Sequence, residues 1–92
     1  MIVSFRHKGL QIYYETGSTR GINAAHASKL ARILSALDVA ISPADMNLPA
    51  YRLHPLKGEL SGFWSIWMNG NWRVIFRFDG LDVELVDYLD YH

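Results

Sequence analysis

Apolar and polar residues alternate through the C-terminal third of the chain, which is the pattern of β-strands. Two β-rich runs, at 63–68 and 72–78, flank the dipeptide Asn69-Gly70, and Asp79-Gly80 separates the second run from residues 81–88. Both dipeptides favour two-residue hairpin turns, because a type I′ turn needs positive φ at its two central positions. The pattern therefore predicts a three-stranded antiparallel meander.

These turns set a register in which Trp67 opposes Trp72 and Arg77 opposes Asp82. Alternation then assigns each strand residue to one of two faces. The face that is almost wholly apolar comprises Phe63, Trp67, Trp72, Val74, Phe76, Phe78, Leu81, Val83 and Leu85. The face that carries charge comprises Trp64, Ile66, Arg73, Ile75, Arg77, Asp82, Glu84, Val86 and Tyr88, and by continuation Asp90 and His92. We expect the apolar face to be covered and the charged face to carry the chemistry.

Helical periodicity in the N-terminal half provides the cover. A first helix is predicted over residues 7–15, with Gly17 placed to end it, and a second begins after Asn23 as its N-cap. The apolar stripe of the second helix comprises Ala27, Leu30, Ala31, Leu34 and Leu37, and its polar side comprises His26, Lys29 and Arg32. With an edge strand at 2–5, the predicted fold class is α+β. Two N-terminal helices pack on a twisted antiparallel sheet, in a single domain spanning residues 1–92.

Composition narrows the functional classes. The 92 residues contain no cysteine, which removes disulfides, thiolate metal sites and cysteine nucleophiles and fits a cytoplasmic protein. No segment is long and apolar enough to span a membrane, so we expect no membrane association. Nine basic and nine acidic residues give zero formal charge. Because nucleic-acid-binding proteins usually carry a basic excess, an RNA- or DNA-binding function requires a local basic patch.

A histidine and several cations are predicted to meet on the charged face. Burial of Tyr51 and Leu53 puts Arg52 and His54 on that face. The predicted site comprises Arg52, His54, Lys57, Arg73, Arg77, Asp90 and His92. No spacing among the histidines fixes a set of metal ligands, so we expect neither a metal nor a cofactor.

Several of these residues also have an ordinary structural interpretation. Arg77 opposite Asp82 is typical of a cross-strand ion pair, whereas Arg73 opposite Ile66 has no such partner, which favours a ligand-binding role. Trp67 and Trp72 are expected to pack in the core. His7 and His26 are expected on helix surfaces.

Five short segments form a recognisable combination: FRHKGL at 5–10, YRLHPLKG at 51–58, GFWSI at 62–66, NWRVIF at 71–76 and DYH at 90–92. Together they resemble the HigB-type toxins ("killer proteins") of the RelE/ParE toxin–antitoxin superfamily. The resemblance covers essentially the whole chain and implies the same α+β fold. It also implies a ribosome-dependent endonuclease that cuts messenger RNA in the A site, restrained by a HigA-type antitoxin with a helix-turn-helix.

The resemblance assigns active-site roles to His54, Asp90, Tyr91 and His92, with Lys57 and Arg73 as contacts to the phosphate or transition state. Metal-free RNA cleavage needs a base for the 2′-hydroxyl, an acid for the 5′-oxygen and cations for the phosphate, and histidine suits both proton-transfer roles. Which histidine is the base stays open. Arg52 and Arg77 complete the expected substrate-binding surface.

Two other classes of function remain open. ParE-like relatives share the fold, bind DNA gyrase and cut no RNA, so the fold alone does not decide between them. An inert interaction module with a merely solvated polar face is the second alternative. The predicted grouping of His54, Lys57, Arg73 and His92 on one face favours the nuclease. The polar side of the second helix, with Lys29 and Arg32, is a candidate surface for the antitoxin.

Overall fold

A computed structural model describes residues 1–90, which form a helical layer packed on a four-stranded antiparallel sheet. The helices are α1 (Lys8–Thr16) and α2 (Ala27–Val39), with short 3-10 turns at Ala24–His26, Pro43–Met46, Pro49–Tyr51 and Gly58–Leu60. The strands are β1 (His54–Pro55), β2 (Phe63–Asn69), β3 (Trp72–Asp79) and β4 (Asp82–Asp90), in the spatial order β1-β2-β3-β4. The α+β prediction is confirmed. Within this part of the chain no helix is long and apolar enough to cross a membrane.

Helix α1 begins and ends at residues with capping chemistry. The Nδ1 atom of His7 accepts the Leu10 amide at 2.9 Å, so this histidine is the N-cap. Gly17 ends the helix in the left-handed region at φ 80°, and its amide donates to the Tyr13 carbonyl at 2.8 Å. Both ends of α1 therefore agree with the sequence pattern to within one residue.

Helix α2 follows a 3-10 turn that Asn23 caps by accepting the Ala25 amide at 3.0 Å. Its buried residues are Leu30, Ile33, Leu34 and Leu37. Ala31, predicted in this stripe, is exposed, because it lies about 100° around the helix from Leu30. His26, predicted on the helix surface, is buried at 4% exposure.

The N-terminal segment, predicted as an edge strand at 2–5, lies at the free edge of β4 and pairs with it through isolated bridges instead of a continuous strand. Ile2 and Phe5 form parallel bridges to Val83 and Val86. The Val83 amide donates to the Met1 carbonyl at 2.9 Å, which continues the sheet by one edge segment. This segment closes the edge of the core on the side away from β1.

The predicted register of the first hairpin is wrong by one residue. Trp67 pairs with Arg73 and Asn69 with Trp72, so Met68 is an extra residue in β2 and forms a bulge. The turn residues are Gly70, at φ 55°, and Asn71. The slip moves Trp64 and Ile66 to the core, and it moves Phe63 and Trp67 to the opposite face.

A second irregularity lies in β4. Arg77 pairs with Glu84, not with Asp82 as predicted, and Ile75 pairs with Asp87. Between these two pairs β4 has one residue more than β3. Leu85, at φ 55°, accommodates the additional residue. Before this bulge the odd-numbered residue Val83 faces the helices, and after it the even-numbered residues of β4 do so. Val86 and Tyr88 are therefore buried under the helices, where the sequence pattern predicted Leu85.

Strand β1 is shorter than expected, since Tyr51 does not belong to it. Tyr51 ends a 3-10 turn and is buried at 7% exposure, and Arg52 follows in the left-handed region at φ 47°. The chain enters the sheet only at His54, which pairs with Ser65. The turn at Arg52 and the pairing with Ser65 fix the backbone on both sides of His54.

Candidate functional site

The sheet face that points away from the helices is called here the outer face. Cross-strand pairing places one row of it at the same level, with His54, Ser65, Ile75 and Asp87 side by side from β1 to β4. On either side of this row the outer face also includes Phe63, Trp67, Arg73, Arg77, Glu84 and Leu89. His54, Arg73 and Arg77 therefore share a face, as predicted.

His54 is exposed and its ring has a defined orientation. Its Nδ1 atom lies 3.0 Å from the Arg52 carbonyl oxygen. A carbonyl can only accept, so Nδ1 carries the hydrogen and Nε2 is the nitrogen turned to a ligand. The Ser65 hydroxyl, beside His54 in the register, is buried and has no hydrogen-bond partner within residues 1–90. The neutral ring can thus offer an acceptor, and the protonated ring a donor, at Nε2.

Arg52 is held against an aromatic ring near His54. Its guanidinium carbon lies 4.1 Å from the centre of the Trp67 ring, and the Lys29 ammonium lies 5.1 Å from the same centre. The Lys29 Nζ also donates to the Met68 carbonyl at 3.0 Å. Burial, together with the charges of Arg32 and Arg52, lowers the pKa of Lys29. Two cations thus meet at one indole, and Lys29, Arg52 and Trp67 form the cation–indole cluster.

Arg73 lies beside this cluster at the end of the β2–β3 hairpin. Its Nη1 donates to the Gly70 carbonyl at 3.1 Å and to the Trp72 carbonyl at 2.9 Å. Arg73 forms no ion pair with any carboxylate of residues 1–90. The backbone bonds fix one edge of the guanidinium, and the fork geometry leaves further N–H donors for an anion.

Arg77 is in a different electrostatic situation at the other end of the face. Its Nε donates to Glu84 Oε2 at 2.7 Å and its Nη2 donates to the same oxygen. The guanidinium also lies 5.5 Å from the centre of the Phe63 ring, with Arg6 at 5.4 Å from that ring. The predicted partner, Asp82, instead lies 3.7 Å from the N-terminal ammonium. Arg77 is therefore a paired cation, whereas Arg6 forms no ion pair within residues 1–90.

The structure does not bring all predicted site residues together. Lys57 is exposed, three residues after His54 and directly before the Gly58–Leu60 turn. Asp90 pairs with Trp72, so alternation puts it on the helix side of the sheet, opposite to His54, because the β4 bulge reverses the faces. Three strand spacings, about 14 Å, also separate β1 from β4. Tyr91 and His92 lie outside the described residues.

Two members of the site were not found from the pattern of the sequence. Trp67 was assigned to the core because the Met68 bulge gives no local signal, and Lys29 was assigned to a solvated helix face. Its long stem instead carries the ammonium over to the hairpin. No group of three His, Asp or Glu side chains within residues 1–90 has the geometry of a metal site.

Comparison with known proteins agrees with the resemblance found in the sequence. The family profile described as "RelE-like toxin of type II toxin-antitoxin system HigB" matches residues 3–92. The chain is 42% identical over 92 residues to Endoribonuclease HigB of Proteus vulgaris, covering 100% of both chains. It is 37% identical over 95 residues to Toxin HigB-1 of Vibrio cholerae, covering 100% of this chain and 98% of the other.

Among solved structures, the YoeB-YefM complex from Staphylococcus aureus matches with a TM-score of 0.64 at 17% identity, covering 100% of this chain and 95% of that chain. Identity this low shows a shared fold and no more. The full-length profile match and the identities of 42% and 37% carry the family assignment. This chain belongs to the HigB family of RelE-like toxins of type II toxin–antitoxin systems.

Proposed function

We propose that this toxin is an endoribonuclease that cuts messenger RNA on the ribosome by metal-independent acid–base catalysis. The observation that carries the proposal is the position of His54. His54 is exposed, its Nδ1 is bonded to the Arg52 carbonyl, and it shares a sheet face with Arg73 and Trp67 of the cation–indole cluster. The name of the Proteus vulgaris relative, an endoribonuclease, supports the same class of reaction.

In the proposed reaction, a proton leaves the 2′-hydroxyl of the RNA as that oxygen attacks the neighbouring phosphorus, and the 5′-oxygen leaves with a proton. His54 supplies one of these proton transfers through Nε2, since Nδ1 is committed to the Arg52 carbonyl. We assign the other transfer to His92. Asp90 lies on the far side of the sheet, so its proposed role is to orient His92 and not to contact His54.

The cations would hold the phosphates and stabilise charge that develops during the attack. Arg52, Arg73 and Lys57 are assigned to this role because none of them forms an ion pair within residues 1–90. Arg77 is assigned a weaker contact, because Glu84 already occupies it. Along β2, the levels of Phe63 and Trp67 are four residues apart, about 13 Å. That length suits a short single-stranded segment, which the ribosome would orient.

The partner implied by the family is an antitoxin. The Staphylococcus aureus YoeB-YefM structure is a toxin–antitoxin complex of the same fold. We infer that this chain pairs with a HigA-type antitoxin carrying a helix-turn-helix, and that the complex restrains cleavage in the cytoplasm. A ParE-like toxin that binds a protein target such as DNA gyrase is the alternative, and the experiment below separates the two.

The test is induction of the chain in cells that lack the antitoxin, followed by mapping of messenger 5′ ends. We expect clustered cuts in translated frames, and we expect His54→Ala to reduce cleavage about 10²- to 10⁴-fold, the usual contribution of a general acid or base. Arg20→Ala, an exposed cation in the loop between the helices, should cut like the wild type. Intact messages with growth arrest would point to the protein-binding toxin instead.

A further inference from the structure

A buried hydrogen bond joins the helical layer to the last strand of the sheet. His26, at 4% exposure, places Nδ1 2.5 Å from the hydroxyl oxygen of Tyr88, at 3% exposure. In the described residues this is the one side-chain to side-chain hydrogen bond between the helical layer and the sheet. Nothing in the reaction proposed above uses either group.

Both partners are neutral near neutral pH. Burial, followed by the charge of Lys29, lowers the pKa of His26. Burial raises the pKa of Tyr88, and the Asp90 carboxylate raises it further, against a hydrogen bond from the Asn23 backbone. Either the Tyr88 hydroxyl donates to His26 Nδ1 or a protonated Nδ1 donates to the Tyr88 oxygen, according to the tautomer of the neutral imidazole. In both tautomers one hydrogen bond links the two buried side chains.

Aromatic contacts fix the Tyr88 ring on its other sides. The Trp72 ring stacks on it with centres 4.5 Å apart and planes inclined by 26°, and the His7 ring meets it edge-on at 5.3 Å. His26 also meets Trp72 edge-on at 5.5 Å. Side chains of the helical layer and of β3 therefore both pack against Tyr88 and hold the last strand in place.

This cluster lies at the end of β4 that carries Asp90, one of the residues assigned to catalysis. Asp90 follows Tyr88 by two residues on the same side of β4 and pairs directly with Trp72, the ring that stacks on Tyr88. A shift of the Tyr88 ring would move the backbone at Asp90 with it. Misplacement of a catalytic group by about 1 Å can cost on the order of 10²-fold in rate.

We propose that His26 and Tyr88 are a positioning pair that fixes the end of β4, so that Asp90 takes the position that cleavage requires. Neither side chain contacts the RNA. The inference rests on the proposed function, because it assigns these residues a role only in a nuclease whose catalytic groups include the C-terminal ones.

The test compares Tyr88→Phe with Tyr13→Phe. Each removes one hydroxyl and keeps the ring, and Tyr13 is a matched control because its hydroxyl donates to the Ala27 carbonyl at 2.7 Å within the helical layer. Cleavage is followed as single turnovers on ribosomes carrying a defined messenger. We expect Tyr88→Phe to lower the maximal rate about tenfold or more with an unchanged half-saturating ribosome concentration. Tyr13→Phe should cut at the wild-type rate although its melting temperature falls similarly.

A second pair of variants tests the other partner. His26→Asn keeps an acceptor near the position of Nδ1 and should recover part of the rate that His26→Leu loses. If Tyr88→Phe cuts as fast as the wild type, or if both tyrosine variants slow equally, the positioning role is wrong and the pair is ordinary core. If the wild type itself leaves the messenger whole, the proposed function fails, and the positioning role fails with it.

Discussion

At the scale of single residues, Asp38 shows how one carboxylate joins three segments. Its Oδ1 accepts the Ile2 amide at 3.0 Å, and its Oδ2 accepts the Tyr14 hydroxyl at 2.8 Å. The bond from Ile2 lowers the pKa of Asp38 most, and the Tyr14 bond and the N-terminal charge lower it further against the effect of burial. The hydrogen bond from Tyr14 to Asp38 in turn raises the pKa of the Tyr14 hydroxyl. The edge segment, α1 and α2 are thus joined through one charged group.

A lowered carboxyl pKa makes stability depend on pH in a defined direction. The folded state binds the Asp38 proton less readily than the unfolded chain, whose aspartate pKa is about 3.9. The stabilisation is therefore complete above about pH 4 and is lost as the pH falls through the folded-state pKa. Urea titrations from about pH 7 down to about pH 2.5 should show the wild-type free energy of unfolding converging on that of Asp38→Asn at the acid end. Asp79→Asn, at an exposed turn, is the control, and parallel curves for wild type and Asp38→Asn would contradict the prediction.

At the scale of elements, whatever depends on neighbours in sequence could be predicted. The ends of α1 at His7 and Gly17 and the cap at Asn23 follow from local backbone and side-chain chemistry. Strand pairing could not be predicted fully, because each bulge inserts one residue whose signal is absent from the sequence. Leu85 adopts φ 55° without being glycine or asparagine, since the packing of Val83 and Val86 on either side of it decides its position.

The candidate site shows the same limit. His54 and Arg73 were predicted on the correct face because neither β1 nor β3 contains an extra residue, so alternation within each strand holds. Asp90 was predicted on that face and lies on the other, because it follows the bulge at Leu85. Trp67 was predicted in the core and lies on the outer face, because the register between β2 and β3 shifts at Met68. Long-range register, and not residue chemistry, therefore set the boundary of what could be predicted.

The contact between α1 and the loop before α2 allows a test at this scale. A Cβ on Gly9 would lie 2.3 Å from the Gly21 carbonyl oxygen, so the two backbones touch. Gly→Ala inside a helix normally stabilises by roughly 0.5–1 kcal/mol. At Gly9 we expect the opposite effect. Gly9→Ala should lower the free energy of unfolding by about 1–3 kcal/mol, the usual cost of overpacking a core, and urea unfolding measures this loss.

The control for this prediction is Gly17→Ala. A Cβ on Gly17 would meet no atom within 4 Å, but the φ there is 80°, so the cost comes from backbone strain alone, about 1 kcal/mol. Gly9 has ordinary helical geometry, so its cost comes from the contact alone. A stabilised Gly9→Ala would mean that the loop moves away at little cost and does not fix the helical layer.

At the scale of the whole molecule, zero net charge conceals an uneven distribution. Five of the nine acidic residues lie between 79 and 90, along β4 and the turn before it. Lys29 and Arg52 contact the Trp67 ring on β2, and Arg73 lies opposite Trp67 in the register; burial, Arg32 and Arg52 disfavour the charged form of Lys29. The local basic patch that an RNA-binding function requires is thus present within a neutral chain.

A local patch makes a quantitative prediction about salt. Binding of a single-stranded RNA should weaken with salt by a slope of about 0.7 per phosphate contact on a double-logarithmic plot, although the net charge is zero. Arg52→Ala removes an unpaired cation and should reduce that slope by about one contact. Arg77→Ala should change it little, because its charge is already compensated by Glu84 in the free protein. Fluorescence anisotropy from about 25 to about 300 mM salt measures both, and equal slopes for all three proteins would show that the phosphates are held elsewhere.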